Sequence, residues 1–436
     1  MPHTYITSDH QREQVPCGLL MMLALLAMSA FVSYVDRSNL SIAASMLKDE
    51  LGISAAQLGI LSSAFFWTYG LAMYGAGWLA DRLHVGWLMA GGFFLWSAAT
   101  LTTGFLHGFA AILVARLVLG VGESVAYPCY SKILAKHFPE SRRGFANSMI
   151  AMGVALGNIF GALAGGMLMA RYGWRSFFIA VGVISLLWLA PWLRWMPRGP
   201  SVTRAHGLEL GLGPDTRAIL KRRAFWGNSA GSFCFAYFLY AAVVWLPFYL
   251  MRERHYSMGA MARIAGAVYA TQALCSLFAG RYADRRAAGS GCGNVHRTLM
   301  VVGTSVGGTM LFLSTLLPTP LSLGALLVVG ACLGVCMSNT WSIAQILAGP
   351  RAAGRWTGLV NTISTVAGAL VSAVTGYLLG RTGHFFWPFA LTAAISCAGA
   401  LCWRFAVGRV QPVAWNQTAV VRFSPVLRTG GTTVGD

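Results

Sequence analysis

Apolar stretches of about 20 residues or more follow one another along this chain from residue 18 to residue 407. A helix rises about 1.5 Å per residue, so each stretch is long enough to cross the roughly 30 Å hydrocarbon core of a bilayer. That core offers no water to the backbone, so spanning segments of this length must be helices. Charged residues make up only 10% of the chain, well below a soluble domain. The sequence therefore predicts an all-α membrane protein.

We predict twelve transmembrane helices in two six-helix repeats. The spans are 18–46, 55–80, 86–106, 109–137, 144–171, 175–196, 224–251, 257–283, 297–317, 321–348, 355–381 and 384–407. The organisation that follows is a cytoplasmic N-terminal segment (1–17), a first bundle (18–196), a cytoplasmic linker (197–223), a second bundle (224–407) and a disordered cytoplasmic tail (408–436).

The formal net charge of +19 has a membrane explanation. A nucleic-acid protein collects basic residues on one soluble face, whereas most of the 32 Lys and Arg here lie in alternate loops between apolar spans. Cytoplasmic loops are enriched in Lys and Arg, so this pattern places both termini in the cytoplasm. We expect a multi-pass protein of the plasma (inner) membrane, surrounded by lipid, with no nucleic-acid partner.

Short motifs recur at matching positions of the two halves. Gly-Trp-Leu-Ala-Asp-Arg at 77–82 ends the second span, and Gly-Arg-Tyr-Ala-Asp-Arg at 280–285 ends the eighth. Gly-Trp-Arg-Ser-Phe-Phe at 173–178 joins spans five and six, and Gly-His-Phe-Phe at 383–386 joins spans eleven and twelve. Parallel repeats around a midplane site are one architecture of secondary transporters.

The Asp-Arg pairs of the first two motifs, Asp81 with Arg82 and Asp284 with Arg285, are candidate gating residues. At the cytoplasmic mouth, each aspartate can face helix N-termini or basic groups of the neighbouring bundle and hold the inner gate closed. The alternative is a pair of solvated charges at a helix end.

Four charges lie deep within the spans: Asp36, Arg37, Arg116 and Glu123. Ionised groups in the bilayer core are costly and usually functional, although an ion-pair network that only joins spans one and four is the structural alternative. Arg116 and Glu123 are seven residues apart, on one face of a helix. We expect all four to line one cavity.

The chemistry of these groups suggests two roles. A guanidinium stays protonated and matches a carboxylate in two-pronged geometry, so Arg37 and Arg116 are candidate anion ligands. Carboxylic acids in apolar cavities can exchange protons near neutral pH, so Asp36 and Glu123 are candidates for proton coupling. An anion that neutralises an arginine would favour proton uptake by its neighbour.

The chain resembles the major facilitator superfamily and, within it, the anion:cation symporter family. The resemblance rests on Tyr-Val-Asp-Arg-Ser-Asn-Leu-Ser-Ile-Ala at 34–43, Arg-Leu-Val-Leu-Gly-Val-Gly-Glu-Ser at 116–124 followed by Tyr127-Pro128, and Trp-Leu-Pro-Phe-Tyr-Leu at 245–250. It implies the same roles for the four charges. Further candidate substrate contacts, polar or amphipathic residues within spans, are Tyr34, Tyr69, Tyr240, Trp341, Asn361 and Thr365.

Three positions depart from the family pattern. Residues 83–87 (Leu-His-Val-Gly-Trp) lack the basic pair that follows the first Asp-Arg in the family. Thr365 stands where the family often has a second Asn, and Val154 stands at a position that often binds substrate. These changes predict a substrate with fewer hydroxyl groups than a sugar acid.

The sequence thus predicts a monomeric secondary transporter that carries a small organic anion, a sugar acid or another carboxylate, with protons. An anion facilitator or antiporter without proton coupling is the alternative, and a transporter-like sensor is a third reading. The nine Cys form no CxxC pair and no His cluster accompanies them, so we expect no metal site and no cofactor beyond protons as the coupling ion. No intramembrane Ser–His, metal or two-Asp catalytic pattern appears, so we expect no enzyme activity.

Overall fold

The computed structural model describes residues 17–53, 55–197, 215–290 and 293–415. Regular structure in these ranges is helical, which confirms the predicted fold class. Segment 1–16, linker residues 198–214 and the tail beyond 415 lie outside the described residues. The helices are α1 (Cys17–Ile42), α2 (Ala44–Leu51), α3 (Ala55–Arg82), α4 (Val85–Thr103), α5 (Phe109–Glu123), α6 (Ala126–His137), α7 (Arg143–Phe160), α8 (Gly166–Trp195), α9 (Thr216–Leu220), α10 (Arg223–Arg252), α11 (Met258–Ser290), α12 (Asn294–Leu316), α13 (Thr319–Thr382) and α14 (Phe386–Leu401).

Two long helices are broken by glycines in conformations that other residues rarely adopt. Gly173 (φ 81°) interrupts α8, and Gly349 (φ 65°) interrupts the 64-residue α13. Pro350 follows the second break and has no N–H to continue the helical ladder. Both breaks lie between spans that the sequence predicts as separate. Eight helical segments of the described ranges are long and apolar enough to cross a membrane, one of them being the whole of α13.

In each repeat, an arginine side chain donates hydrogen bonds to the carbonyl groups at the C-terminal end of a helix. In the first, Nη1 of Arg175 donates to the carbonyl oxygens of Gly104 (3.1 Å) and Leu106 (2.8 Å) at the end of α4. In the second, Nη2 of Arg254 donates to the carbonyl oxygens of Ser314 and Leu317 at the end of α12. Each arginine satisfies carbonyls that lack intrahelical partners.

The first residues of the tail that the sequence predicts as disordered, 408–415, have a described structure. Residues 408–415 are not helical but pack on the second bundle: the Val413 N–H donates to the Leu347 carbonyl at 3.0 Å, and Trp415 Nε1 donates to the Ala348 carbonyl at 2.9 Å. These bonds satisfy carbonyls of α13 just before its break at Gly349. The ordered chain therefore extends beyond the predicted boundary at residue 407.

Candidate functional site

A cavity of about 540 Å³, including its open mouth, lies between the two repeats. Helices α1, α3 and α6 form one wall, and α10 and both parts of α13 form the other. Its lining residues are Tyr34, Arg37, Tyr69, Tyr127, Ser232, Phe235, Ala236, Leu239, Tyr240, Met337, Thr340, Trp341, Asn361, Ser364 and Thr365. Both repeats thus contribute side chains to one shared cavity.

Arg37 brings a charge to the wall of this cavity. Its side chain is 14% exposed, whereas that of its partner Glu123 is fully buried. Nε of Arg37 donates to Oε2 of Glu123 at 2.9 Å, and Oγ of Ser33 donates to Oε1 at 2.7 Å. Because the pair uses Nε, the two terminal nitrogens of the guanidinium are not part of it. Glu123 therefore sits directly behind a cation that meets the cavity.

Aromatic rings surround the Arg37 guanidinium. Its central carbon lies 4.7 Å from the ring centre of Tyr34, 5.1 Å from that of Phe65 and 4.6 Å from that of Tyr69. Such cation–π contacts stabilise a guanidinium by about 0.5–2 kcal/mol each when water is excluded. They favour the position of the Arg37 guanidinium at the cavity wall.

Asp36 and Arg116 are not placed as expected. Asp36 is 1% exposed and Arg116 is 4% exposed, and neither lines the cavity. Asp36 accepts a bond from Asn39 Nδ2 at 3.3 Å and interacts electrostatically with Arg116 and Glu123. The expectation of one cavity lined by all four charges is thus wrong: the substrate-binding candidate Arg116 lies behind the wall. Asp36 and Arg37 belong to α1, whereas Arg116 and Glu123 belong to α5. The seven-residue spacing within one helix does not predict how side chains of two helices pack against each other.

The other predicted contacts do reach the cavity. Tyr34, Tyr69, Tyr240, Trp341, Asn361 and Thr365 all line it. Tyr127, absent from the predicted set, stacks on Trp341 across the two repeats with ring centres 4.8 Å apart. Its position in the Tyr127-Pro128 motif, one turn beyond Glu123, was the available signal. Val154 is buried at 2% exposure and does not line the cavity.

Asp81 crosses from the first repeat to the second. Its carboxylate accepts the backbone N–H groups of Gly354 (3.1 Å) and Arg355 (2.8 Å) in α13, just after the break at Gly349. Lys132 of α6 also donates to it at 2.8 Å. A carboxylate at a helix N-terminus is stabilised by the unpaired N–H groups and by the helix dipole. Lys132 thus gives Asp81 a basic partner from within the first repeat.

Asp284 makes the equivalent contact from the second repeat to the first. It accepts the backbone N–H groups of Gly144 (2.8 Å) and Phe145 (2.7 Å) at the start of α7. A Cβ on Gly144 would lie 2.7 Å from Asp284 Oδ1, so glycine is needed for this approach. Burial raises the pKa of the Asp284 carboxyl, which lies beyond the predicted span 257–283, to about 7. We call the end of the molecule where Asp81 and Asp284 cap helices the capped end.

The arginines of the two motifs behave differently from the aspartates. Arg82 and Arg285 are exposed, and the Arg82 guanidinium stacks over the ring of Trp78 at 4.1 Å, within its own helix. No described hydrogen bond or ion pair carries either side chain to the opposite repeat. Within the two Asp-Arg motifs, the aspartates and not the arginines therefore contact the opposite repeat.

Between the cavity and the capped end lies a set of neutral side chains that we call the amide layer: Asn147, Gln345, Ser131 and Thr357. Nδ2 of Asn147 donates to Oε1 of Gln345 at 3.0 Å, and Nε2 of Gln345 donates to Oδ1 of Asn147 at 3.1 Å. Thr357 Oγ1 donates to Ser131 Oγ at 2.8 Å. Both pairs join the two repeats and are buried. Sequence reasoning missed this layer, because its partners are about 200 residues apart and none is charged.

The cross-repeat hydrogen bonds of the described residues lie at the cavity or between it and the capped end. Those nearest the cavity are Thr362 Oγ1 to the Gly70 carbonyl (3.1 Å) and Asn361 Nδ2 to Met73 Sδ (2.9 Å). The molecule is therefore closed at the capped end. Among the described residues, no cluster of three or more His, Cys, Asp or Glu side chains could hold a metal ion.

Comparison with known proteins gives one family. The Major Facilitator Superfamily pattern matches residues 26–372, which is more than half of the chain.

The relatives and a solved structure agree with that match. The chain is 29% identical to a probable sulfoacetate transporter of Cupriavidus necator, over 87% of this chain and 92% of the relative. It is 25% identical to a probable L-galactonate transporter of Escherichia coli, over 88% of each chain. The crystal structure of FucP in the outward conformation superposes with a TM-score of 0.71 at 15% identity, covering 89% of this chain and 99% of FucP.

Proposed function

This chain belongs to the Major Facilitator Superfamily and is a multi-pass secondary transporter, not an enzyme, and from that premise we propose that it moves a small organic anion together with protons. The observation that carries the proposal is the Arg37–Glu123 pair, in which a cation meets the cavity while its acid partner is buried behind it. The names of its relatives, which include transporters of sulfoacetate and L-galactonate, support an anionic cargo.

In this proposal, the Arg37–Glu123 pair couples the binding of the proton to the binding of the anion through charge. While Glu123 is ionised, it compensates Arg37, and an incoming anion would have to share that cation with a carboxylate at 2.9 Å. Two unit charges 4 Å apart interact by about 4 kcal/mol at an effective dielectric constant of 20. A proton on Glu123 removes that competition and leaves Arg37 to the anion. The proton and the anion therefore bind cooperatively, and each raises the affinity for the other.

Asp36 and Arg116 are a second, deeper set of opposite charges in this proposal, and they interact electrostatically without a described ion pair. Arg116 acts by positioning and compensating Asp36 rather than by touching substrate, because it does not line the cavity. Protonation of Asp36 would leave the buried Arg116 cation to be compensated by Glu123 alone, which is costly. Asp36 thus takes up a proton most readily when Glu123 is ionised or another negative charge approaches, which suits a coupling group.

Alternating access follows from the contacts at the capped end, which the positive-inside pattern assigns to the cytoplasm. Asp81 and Asp284 release α13 and α7, and the amide layer separates, when the two repeats rock about the cavity. The state described here is the outward-facing one in this proposal.

The test is proton uptake on anion binding by the purified chain. Calorimetric titration with sulfoacetate, L-galactonate and benzenesulfonate in buffers of different ionisation enthalpy gives the number of protons bound with the anion. We expect net proton uptake near neutral pH for the unmodified chain and a smaller uptake for Glu123→Gln. Glu140→Gln, which removes an acid from the loop after α6, is the matched control and should behave as the unmodified chain.

Two results would contradict the proposal. Anion binding without proton uptake, unchanged in Glu123→Gln, would favour a facilitator or an anion exchanger. Anion affinity unchanged in Arg37→Gln would remove Arg37 from the binding site, since this substitution deletes the charge and the two-pronged donor geometry.

A further inference from the structure

The charge of the cavity limits the charge of its cargo. Of the lining residues that the structure describes, Arg37 carries the only formal charge, because Arg116 lies behind the wall. With Glu123 protonated, the cavity offers a single uncompensated positive charge. A second carboxylate or sulfonate on the same ligand would be buried without a partner, which costs several kcal/mol. The electrostatics therefore favour a monoanion.

Three of the neutral polar side chains with which the second repeat lines the cavity already donate within the protein. Ser364 Oγ donates to the Val360 carbonyl at 2.9 Å, and Thr365 Oγ1 donates to the Asn361 carbonyl at 2.8 Å, both within α13. The Asn361 amide is directed at Met73 Sδ, 2.9 Å away. A ligand with four or five hydroxyl groups needs a partner for each, and each buried group left without one costs about 1–3 kcal/mol.

The remaining wall is apolar and partly flat. Phe235, Ala236, Leu239 and Met337 line it from the second repeat. The Tyr127–Trp341 stack, with an angle of 27° between the rings, spans both repeats, and both residues line the cavity. Aromatic surfaces of this kind stabilise flat ligands by offset stacking or edge-to-face contact.

We propose that the cargo is a monoanion with a flat, apolar, sparsely hydroxylated body, of the chemical class of benzoate or an aryl sulfonate, bound with its anionic group at Arg37 and its body against Tyr127, Trp341 and Phe235. This rests on the proposed function, since it takes Arg37 as the anion ligand. The specificity-determining residues are then those of the apolar wall, because the arginine alone accepts any carboxylate.

The test compares four probes on the purified full-length chain by calorimetric titration: benzoate, benzamide, L-galactonate and succinate. Benzoate is expected to bind at least tenfold more tightly than L-galactonate, a hydroxylated monoanion, and than succinate, a dianion. Equal or tighter binding of L-galactonate or succinate would overturn the proposal, as would failure of benzoate to bind.

Substitution of the wall separates this proposal from a nonspecific apolar effect. Trp341→Leu keeps an apolar side chain but removes the stacking surface, and we expect benzoate affinity to fall by about 3- to 10-fold while L-galactonate affinity changes by less than twofold. An equal loss for both ligands would show that Trp341 only supports the fold of the cavity and would contradict the assignment.

Benzamide and Arg37→Gln distinguish failure of this proposal from failure of the proposed function. Benzamide has the ring without the charge, and it should bind at least tenfold more weakly than benzoate. If benzamide bound as tightly as benzoate, or if Arg37→Gln left every anion affinity unchanged, the anion-transport function itself would fail. If Arg37→Gln abolished binding of all anions but L-galactonate bound best to the unmodified chain, only the flat apolar cargo would be wrong.

Discussion

The reciprocal bonds between Asn147 and Gln345 make the closure of the capped end measurable. Gln345→Met keeps the size of the side chain but removes both bonds to Asn147, together with a long, weak bond from Nε2 to Ser131 Oγ at 3.5 Å. It leaves Oδ1 of Asn147 without the Gln345 donor it has in the closed state. In the open state, water would solvate that amide instead. The substitution therefore destabilises the closed state relative to the open one, and we expect a shift toward opening.

The size of the shift follows from the two bonds lost. A neutral hydrogen bond contributes about 0.5–1.5 kcal/mol net, so two contribute about 1–3 kcal/mol. Since about 1.4 kcal/mol is a tenfold change in an equilibrium constant, the ratio of open to closed molecules should rise by about 5- to 150-fold. The double variant Asn147→Leu with Gln345→Met removes both amides, and it should shift the ratio by less than the sum of the single variants.

The assay is alkylation of a single cysteine placed at Met337, which lines the cavity. A membrane-impermeant maleimide is applied from the side of the capped end to a chain whose nine native cysteines are replaced. Gln272→Met is the matched control, because Gln272 is equally buried but lies within the second repeat and its Oε1 has no partner among the described residues. Labelling of Gln345→Met within twofold of this control would refute the reasoning.

Three further expectations concern the capped end and the cavity. Gly144→Ala should increase the same labelling by about tenfold or more, because the new Cβ would lie 2.8 Å from the Gly280 carbonyl, whereas Gly259→Ala, with nothing within 4 Å, should not. The raised pKa of Asp284, about 7, means that the closed state binds a proton more tightly than an open state in which water reaches the carboxyl. Acidification from pH 8 to pH 6 should therefore favour closure by about tenfold, measured as spin-label distances between the repeats, and Asp284→Asn should flatten that dependence. Lys132→Met should open the capped end less than Asp81→Ala, because the two backbone bonds to Asp81 remain.

Much of the fold was predictable because the bilayer leaves few choices. Apolar length predicts helices, and the repeated Asp-Arg motifs predict two related halves. The four buried charges stand out because ionised groups in such spans are rare. The predicted substrate contacts other than Arg116 line the cavity, whereas Asp36 and Glu123, which were also expected there, lie behind its wall.

The features that were not predictable depend on how helices from distant parts of the chain meet. The residues on one helix face do not predict that Arg37, rather than Arg116, forms the ion pair with Glu123. That choice depends on the rotation of α1 against α5. The Asn147–Gln345 pair leaves no local signal, because single amides within spans are common. The packing of Trp415 on α13 was missed for a related reason. The tail is polar and Thr/Gly-rich as a whole, and its composition does not indicate that Trp415 donates to the Ala348 carbonyl.

Direct measurement of proton movement during transport tests the central claim most sharply. The purified chain is reconstituted into liposomes that hold a pH-sensitive dye, and an inward gradient of benzenesulfonate is applied without a pH gradient. A sulfonate is the right probe because it does not cross the membrane as a neutral acid. We predict internal acidification that accompanies anion uptake and is lost in Glu123→Gln but not in Glu140→Gln. Anion uptake with no pH change, or with internal alkalinisation, would contradict proton-coupled symport through Glu123.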